Sequence, residues 1–425
     1  MKKFNIISLG CSKNLVDSEE VKSMLLQEGL TFVEEAEDCE LLIINTCGFI
    51  LPAKEESIDY ILDAIELKKN GTIKSLIVMG CLTQRYREEL TKEFPEVDAI
   101  FGVDEVKEIS HFLFHKESKA SPRSLMTPGH YGFLKIAEGC NNSCAFCAIP
   151  LIRGPQLSLE PSVILKDAEE LAKQGVKELI VIAQDSTTYG WDLRKDLRLH
   201  TLLKELDDMD AFPWIRLHYA HPAHFDLKLI DVINQSKSIL PYIDIPIQHI
   251  NTQQIKSMRR GKDGEHIRKL IRTLRSDIKD LALRTTVLVG FPGESDEAFN
   301  ELLDFVKEIR FDRLGGFTYS LEEGTPAVPL ADPIPEDIKS RRLEAIMNAQ
   351  SKISLENNQS LIGTKQRVFI DVYDAFSKDS YGRTYRDSPD IDNRVIIPAK
   401  LKKGDFVDVE IIDAIDYDMI GEILE

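Results

Sequence analysis

The amino-acid sequence predicts an α/β protein built from three successive modules. Over most of the chain, short apolar runs of strand length alternate with amphipathic stretches of helical period, which is typical of parallel sheets flanked by helices. The chain then changes to β-type runs separated by turns. A stretch at 119–132 carries the Pro, Gly and Ser of a linker. We therefore place the modules at residues 1–118, 130–357 and 358–425.

Composition narrows the class of protein. The chain has 425 residues and a formal net charge of -18, and no window approaches the roughly 18 uninterrupted apolar residues of a membrane span. The N-terminus reaches Gly10 and Cys11 too early to hold the apolar stretch of a secretory signal. We expect a cytoplasmic protein with no membrane contact, and its acidic charge makes direct nucleic-acid binding unfavourable.

The first module has the pattern β-α-β-α-β. Its predicted strands cover residues 4–9, 41–45 and 76–79, and each is bounded by Gly, Asn or Thr. Residues 17–20 have the Asp and Glu spacing of a helix N-terminus, and Gly29 would end that helix. This order predicts a doubly wound parallel sheet, whose ligands bind at the carboxyl ends of the strands.

One cysteine follows each of these three strands. Because the carboxyl ends of parallel strands share one edge, the fold would bring Cys11, Cys47 and Cys81 together, as a metal site requires. The alternative is three unrelated buried thiols, a common environment for free cysteine. Cys39 precedes its strand, so we expect it to lie at the opposite edge as a bystander.

The second module repeats a strand and a helix six times. Its predicted strands lie near 133–137, 178–183, 214–219, 242–246, 284–290 and 314–318. Six units are fewer than the eight of a closed barrel, so the pattern predicts a partial (β/α)6 barrel with its site at the carboxyl ends of the strands. A charged amphipathic helix at 335–357 would lead to the last module.

The loop after the first barrel strand contains Cys140, Cys144 and Cys147 in the pattern Cys-x3-Cys-x2-Cys. Three thiolates on one short loop can hold three irons of a cubane cluster and leave the fourth iron open for a substrate or cofactor. The alternative is a zinc loop, but structural zinc sites usually pair Cys-x2-Cys or His ligands, and no histidine is near enough in sequence to complete the tetrahedron.

The third module changes to β-type runs at 367–372, 394–397 and 406–412, separated by turns that contain Gly and Asp. This pattern predicts a small antiparallel β-barrel. The module carries nine Lys or Arg and fourteen Asp or Glu residues. Its outer surface is therefore expected to be acidic.

The cysteine loop EGCNNSCAFC at 138–147 resembles the signature of the radical S-adenosylmethionine (SAM) superfamily. In that superfamily SAM binds the open iron through its amino and carboxylate groups, and an electron from the cluster cleaves it to a 5′-deoxyadenosyl radical. Two cysteine sites in this order, followed by a small β-barrel, resemble the methylthiotransferases over essentially the whole chain. The resemblance implies an N-terminal cluster domain, a radical-SAM barrel, a C-terminal TRAM domain and two 4Fe-4S clusters.

Several short motifs resemble the RimO-type branch of that family, which modifies a ribosomal protein. They are SLGCSKNLVDSE (8–19), NTCGFI (45–50), GCLTQRY (80–86), IAQD (182–185), DIPIQH (244–249) and YSLEEGT (319–325). The branches that modify tRNA usually show Gln-Met-Asn or Lys-Val-Asn after the first cysteine. Two loop positions depart from the pattern: Ser12 stands where Pro is expected, and Asn393 where Gly is commoner.

Polar residues at strand ends are candidates for contacts with SAM. Gln184 and Asp185 end the second barrel strand, where a side chain would reach the amino group or the ribose. Gly290, Gly293 and Glu294 follow the fifth strand; the glycines allow close backbone approach, and the resemblance puts a Gly-rich turn here beside SAM. For Glu294 the acidic first turn of a helix is an equal alternative.

Three further features have weaker indications. His249 and Tyr319 end the fourth and sixth strands, although such residues often only cap loops. The most basic short run, at 258–262, would contact a substrate or simply form a solvated helix end. The sequence assigns no catalytic side chain beyond these candidate ligands.

The resemblance implies a reaction that uses two SAM molecules. One methylates sulfur held on the cluster of the three early cysteines, and the other is cleaved at the Cys140 loop. The radical would abstract hydrogen from the β-carbon of an aspartate in small-subunit ribosomal protein S-twelve, a carbon that general-base chemistry at pH 7 cannot deprotonate. An acidic terminal module would attract this basic client and repel tRNA.

The same resemblance implies an electron donor of the flavodoxin or ferredoxin type. Two alternatives stay open at this point. One is a MiaB-like tRNA-adenosine methylthiotransferase, and the other is a non-catalytic iron–sulfur or zinc-binding protein.

Overall fold

The computed structural model describes residues 1–116, 122–330 and 333–424. The predicted module boundary at 118 and the start of the predicted linker lie outside these ranges. Within them, no helix combines the length and the apolar character that crossing a membrane would demand.

The first module is a parallel five-stranded sheet with helices on both faces. Its elements are β1 (Lys3–Ser8), α1 (Ser12–Gln27), β2 (Thr31–Phe32), β3 (Leu41–Thr46), α2 (Leu51–Lys69), β4 (Ser75–Gly80), α3 (Cys81–Glu93), β5 (Ala99–Ile100) and α4 (Val106–Phe114). The strands pair in the order β2-β1-β3-β4-β5, and every pair is parallel. Leu41 and Ile43 pack on one face, whereas Leu42 and Ile44 pack on the other. The predicted doubly wound sheet is confirmed, with two short edge strands added.

Helix α1 begins at Ser12, so the helix start predicted near Asp17 is wrong. Cys11 is the N-cap in an extended conformation. Asp17 and Glu19 are buried: Asp17 pairs with Arg153 of the second module at 2.8 Å, and Glu19 pairs with Arg123 of the predicted linker at 2.5 Å. These carboxylates therefore hold the first module to the segments that follow it instead of capping a helix.

The second module is an open six-stranded parallel sheet wrapped by helices. Its elements are β6 (Tyr131–Lys135), β7 (Ala137–Glu138), α5 (Ile149–Arg153), β8 (Leu157–Ser158), α6 (Pro161–Lys173), β9 (Glu178–Ile182), α7 (Leu199–Asp208), β10 (Trp214–Leu217), α8 (Lys228–Gln235), β11 (Ile239–Asp244), α9 (Thr252–Ser257), α10 (Gly264–Asp277), β12 (Ala282–Val289), α11 (Asp296–Ile309), β13 (Arg313–Thr318) and α12 (Glu336–Gln359). The order β13-β12-β11-β10-β9-β6 does not close, and the small pair β7-β8 lies apart from it. This confirms the predicted partial barrel.

The third module is a closed five-stranded barrel. It contains β14 (Lys365–Tyr373), β15 (Ser380–Arg383), β16 (Val395–Ile397), β17 (Phe406–Ala414) and β18 (Met419–Ile423). Four of its strand pairs are antiparallel as predicted, but β16 and β18 pair in parallel. The predicted small β-barrel is thus present with one parallel pair.

The third module docks on the amino ends of the barrel strands. Trp214, the first residue of β10, packs edge-on against Phe369 and Phe406, which stack on each other 4.3 Å apart. Beside them the fully buried carboxylate of Glu178 accepts hydrogen bonds from Arg216 at 2.6 Å and from Arg383 of β15 at 2.7 Å. This docking leaves the carboxyl ends of the strands to the first module.

We expect Glu178→Ala to lower the free energy of unfolding by about 3–5 kcal/mol, because it leaves two buried guanidinium groups without their shared carboxylate. The urea midpoint measures the change. Glu170→Ala is the control, since Glu170 forms an exposed pair with Lys173 and its removal should shift the midpoint little. Equal midpoints for the two variants would contradict the expected role of Glu178.

Candidate metal and cofactor site

The structure gathers the three early cysteines at one edge of the first sheet. Cys11 follows β1, Cys47 follows β3, and Cys81 is the first residue of α3 directly after β4. A Cβ atom on Gly10, whose φ is +85°, would lie 2.9 Å from the Cys47 sulfur. Only glycine therefore lets the Cys11 loop approach Cys47 this closely. We call these three residues the N-terminal triad.

The thiols of the N-terminal triad affect each other electrostatically. Burial raises the pKa of Cys47 and raises the pKa of Cys81 to about 12, and the nearby Cys11 sulfur adds to both shifts. A neutral thiol is a poor metal ligand, whereas a bound metal compensates the buried thiolate charge. The clustering of sulfurs in a poorly solvated place therefore fits a metal site.

The loop between β7 and α5 holds Cys140, Cys144 and Cys147, which we call the barrel triad. Burial raises the pKa of Cys147 to about 12, and the Cys144 and Cys140 sulfurs add to the shift. Arg260 donates to the Cys144 sulfur at 3.3 Å, and the Asn142 amide donates to the Cys140 sulfur at 3.4 Å. Cationic and N–H donors of this kind stabilise thiolate ligands.

The spacing of the sulfurs argues against a single zinc ion in either triad. Ligand atoms about 2.3 Å from a tetrahedral zinc lie only ~3.8 Å from each other. Among the residues that the structure describes, the groups of three or more potential ligand atoms within 4.8 Å of one another are Asp185-His221-His224 and Asp17-Asp104-Glu138. Neither contains a cysteine, so in neither triad do all three sulfurs lie within 4.8 Å of one another.

The two triads meet where the first and second modules touch. Cys81 packs in one buried cluster with Ala148 and Ile152. Ala148 directly follows Cys147 in the chain, and the helices α3 and α5 are in contact. The barrel triad and the N-terminal triad are therefore neighbours across one interface.

Arg153 ties this junction together. Its guanidinium donates to Asn14 at 2.6 Å, to Asp17 at 2.8 Å and to Glu138 at 2.8 Å. The same Asn14 oxygen accepts from the Cys81 thiol at 3.4 Å. Burial by itself would raise the pKa of Glu138, but the cations of Lys135 and Arg153 outweigh it and lower that pKa. The Glu138 carboxylate thus stays ionised and holds Arg153, which reaches across the interface to Asn14 and Asp17.

The structure places Gln184 and Asp185 beside the barrel triad. Gln184 donates to Glu138 at 2.6 Å, and its carbonyl oxygen is buried without a hydrogen-bond partner among the described residues. The carboxylate of Asp185 accepts from Asn142 of the cysteine loop at 2.7 Å and lies 3.0 Å from His224. Burial would raise the pKa of Asp185, but its hydrogen bonds, first that of His224, lower it.

The residues after the fifth barrel strand differ from one another. A Cβ on Gly290 would lie 2.3 Å from the Lys339 side chain of α12. The neighbour that Gly290 approaches closely is therefore this side chain. Gly293 has open space around it and a φ of +76°. Glu294 is buried, and its carboxylate binds the Gly290 amide, Arg342 at 2.7 Å and His249 at 3.2 Å. These contacts favour a structural role for Glu294 and His249, although Glu294 precedes Ser295, the N-cap of α11, and so does not lie in the first turn of the helix.

Tyr319 and Arg260 occupy the mouth of the barrel. The Tyr319 ring packs edge-on against Phe291, in one cluster with Ala145 and Phe146 of the cysteine loop, and its hydroxyl has no hydrogen-bond partner among the described residues. Buried polar atoms of this kind, together with the oxygen of Gln184, fit a bound polar cofactor such as SAM. Arg260 is buried, so a solvated helix end is the wrong interpretation of that residue.

Several residues of the site escaped the sequence analysis as individual candidates. Glu138 was visible only as part of the cysteine-loop motif, and Arg153 was not singled out at all. His221 and His224, which stack 4.7 Å apart after β10, carry no spacing that indicates a site. Lys13 appeared only within a motif, although a cation in the first turn of a helix opposes the helix dipole and is a signal in itself.

Three family models match successive parts of the chain. The model described as "Uncharacterized protein family UPF0004" matches residues 3–102. The model of the radical SAM superfamily matches residues 134–306. The model of the TRAM domain matches residues 362–424.

Solved structures share the fold at low sequence identity. The radical SAM methyltransferase TsrM from Kitasatospora setae, with cobalamin and a [4Fe-4S] cluster bound, superposes with a TM-score of 0.58 at 13% identity and covers 77% of each chain. The cobalamin-dependent radical SAM enzyme OxsB gives a TM-score of 0.53 at 13% identity, over 83% of this chain and 58% of OxsB.

Relatives of much higher identity span the whole chain. The ribosomal protein uS12 methylthiotransferase RimO of Aquifex aeolicus is 46% identical over 100% of this chain and 98% of that protein. The proteins of the same name from Cytophaga hutchinsonii and Clostridioides difficile are each 44% identical over 100% of this chain and 98% or 99% of theirs. The predicted family is confirmed: the chain belongs to the RimO family of radical-SAM methylthiotransferases.

Proposed function

We propose that this protein attaches a methylthio group to the β-carbon of an aspartate in ribosomal protein uS12. The full-length relatives carry the name of that activity. The observation that supports it most directly is the meeting of two cysteine triads at one interface, with Cys81 packed against the residue that follows Cys147. Neither a radical enzyme with a single cluster nor a zinc protein needs this second gathering of thiols.

We further propose that each triad holds one 4Fe-4S cluster, with ligands Cys11, Cys47 and Cys81 at one site and Cys140, Cys144 and Cys147 at the other. When bound, the barrel cluster supplies the electron that cleaves SAM, and the other cluster carries the sulfur to be methylated. The cation of Arg153 at the junction and the donor Arg260 at Cys144 offset the negative charge of the thiolates.

The side chains around the barrel triad are suited to hold SAM. Gln184 offers a free carbonyl oxygen for the amino group of SAM, and Asp185 fixes Asn142 and therefore the cysteine loop. Gly293 leaves room for a close approach, while Phe146 and Tyr319 offer an aromatic wall. Gly290 and Glu294 support the same loop from behind through Lys339 and Arg342.

The first module also closes one side of the barrel mouth. Lys54 and Arg85 bind the buried carboxylate of Glu322, in the loop after β13, at 2.9 Å and 2.8 Å. This contact joins the first module to the loop after the last barrel strand, as Lys135 joins it to the first barrel strand through Asp17. Restricting water at a radical site protects the reactive intermediate from side reactions.

Charge supports a protein client. With a net charge of -18, the chain attracts a basic ribosomal protein and repels tRNA. We propose a cytoplasmic location, where ribosomal proteins are made, and an electron donor of the flavodoxin or ferredoxin type. Because the chain is acidic, we propose no direct binding to nucleic acid.

The choice of substrate can be tested directly. Reconstituted protein is incubated anaerobically with SAM, a reductant and either uS12 or tRNA, and both are analysed by mass spectrometry. We expect a methylthio adduct on one aspartate of uS12 and none on tRNA. A Cys140→Ala variant is the control without SAM cleavage, and modified tRNA beside unmodified uS12 would overturn the assignment.

The two-cluster proposal has its own test. Wild-type protein should bind about eight irons, and Cys81→Ala should retain about four because its barrel cluster remains. The variant should still form 5′-deoxyadenosine from SAM but transfer no methylthio group. Cys39→Ala is a matched control, because this buried cysteine packs in the core of the first module instead of joining the triad. Equal iron contents in wild-type and Cys81→Ala protein would contradict the second cluster.

A further inference from the structure

Lys13 is a buried cation without an acidic partner. Its side chain is enclosed, with 7% of the residue exposed. Its ammonium reaches the Ala183 carbonyl oxygen only at 3.5 Å and lies 3.7 Å from the centre of the Tyr219 ring. It forms no ion pair with any carboxylate in the part of the chain that the structure describes. At least one of its three N–H donors is therefore open to another acceptor.

Lys135, the other buried lysine at this junction, has the carboxylate partners that Lys13 lacks. Lys135 lies 2.7 Å from Asp17 and 3.0 Å from Glu138, so its charge is compensated twice. Lys13 has no such compensation, and its place in the first turn of α1 puts it at the positive end of the helix dipole. A buried charge is normally paired, so an ammonium without a carboxylate partner is suited to bind an anionic group.

The position of Lys13 restricts which anion that is. The residue follows Cys11 by two positions, and its ammonium touches the carboxyl ends of β9 and β10. Ala183 directly precedes Gln184, and Tyr219 holds its ring over the ammonium with a left-handed backbone, φ +61°. A left-handed tyrosine is rare and strained, and such conformations concentrate at functional sites. The open donor thus lies at the interface where the two triads meet.

We propose that Lys13 binds the side-chain carboxylate of the aspartate that is modified. This inference rests on the proposed function and adds a substrate-binding residue to it. The carboxyl carbon of aspartate is bonded directly to its β-carbon, so an anchored carboxylate fixes the reacting carbon one bond away. The carboxylate of SAM has the same chemistry and is the competing source. We favour the client because Lys13 belongs to the first module, next to Cys11, and not to the barrel triad.

The experiment compares Lys13→Met and Lys22→Met in the reconstituted full-length protein. Lys22 is a matched control on the same helix, since its ammonium also contacts a carbonyl oxygen, that of Leu125 at 2.9 Å, and an aromatic ring, that of Phe32 at 4.1 Å. Lys13→Arg, which keeps the positive charge, is a second variant. Iron content and formation of 5′-deoxyadenosine without client report on folding, clusters and SAM binding.

We expect kcat/KM for uS12 to fall on the order of 10- to 100-fold in Lys13→Met, the effect of losing one charged hydrogen bond. The fall should be smaller in Lys13→Arg and absent in Lys22→Met, while iron content and client-free SAM cleavage stay at wild-type values. A client in which the modified aspartate is changed to asparagine sharpens the test. Wild-type enzyme should prefer the aspartate client strongly, and Lys13→Met should lose most of that preference.

Each contrary outcome has a distinct meaning. Loss of client-free SAM cleavage in Lys13→Met would overturn the inference in favour of the SAM carboxylate. An unchanged preference for aspartate over asparagine, or equal behaviour of Lys13→Met and Lys22→Met, would also overturn it while leaving the proposed function intact. Absence of any uS12 adduct from wild-type protein that cleaves SAM would overturn the proposed function and this inference together.

Discussion

The structure depends on the contact between two sheet edges. Parallel strands send all their carboxyl-end loops to one side, and here the loop edges of two parallel sheets face each other. The buried guanidinium of Arg153 spans that interface from α5 to Asn14 and Asp17 of α1. Because it also binds Glu138 beside the barrel triad, one side chain sets the relative position of both groups of thiols. A small change in this contact would move the two groups of thiols relative to each other.

The first and third modules cover opposite ends of the barrel. The terminal β-barrel covers the amino ends of the strands through Trp214, Phe369 and Phe406. The first module covers part of the carboxyl ends, through α1 on β6 and through Glu322 after β13. Both ends of the barrel are therefore in contact with an outer module.

Those parts of the fold and the site that depend on local sequence patterns could be predicted from the sequence. The residues whose roles depend on distant partners could not. The barrel triad was predictable because its spacing is local, and the gathering of the N-terminal triad because parallel topology dictates it. Asp17 has the sequence signature of a helix cap, yet its real partners lie more than a hundred residues away in Lys135 and Arg153. The roles of Glu294 and Arg260 were ambiguous for the same reason. Glu294 is buried by Arg342, and Arg260 is buried beside Cys144; neither partner can be recognised from the neighbouring sequence.

The carboxylate of Glu178, shared by two arginines of different modules, has a consequence for how the molecule comes apart. Pulling the terminal β-barrel away would separate Arg383 from the buried Glu178 carboxylate, which would keep only Arg216, and would uncover the indole of Trp214. The second and third modules should therefore unfold as a single cooperative unit. A chain truncated before residue 358 would expose an apolar surface that is prone to self-association.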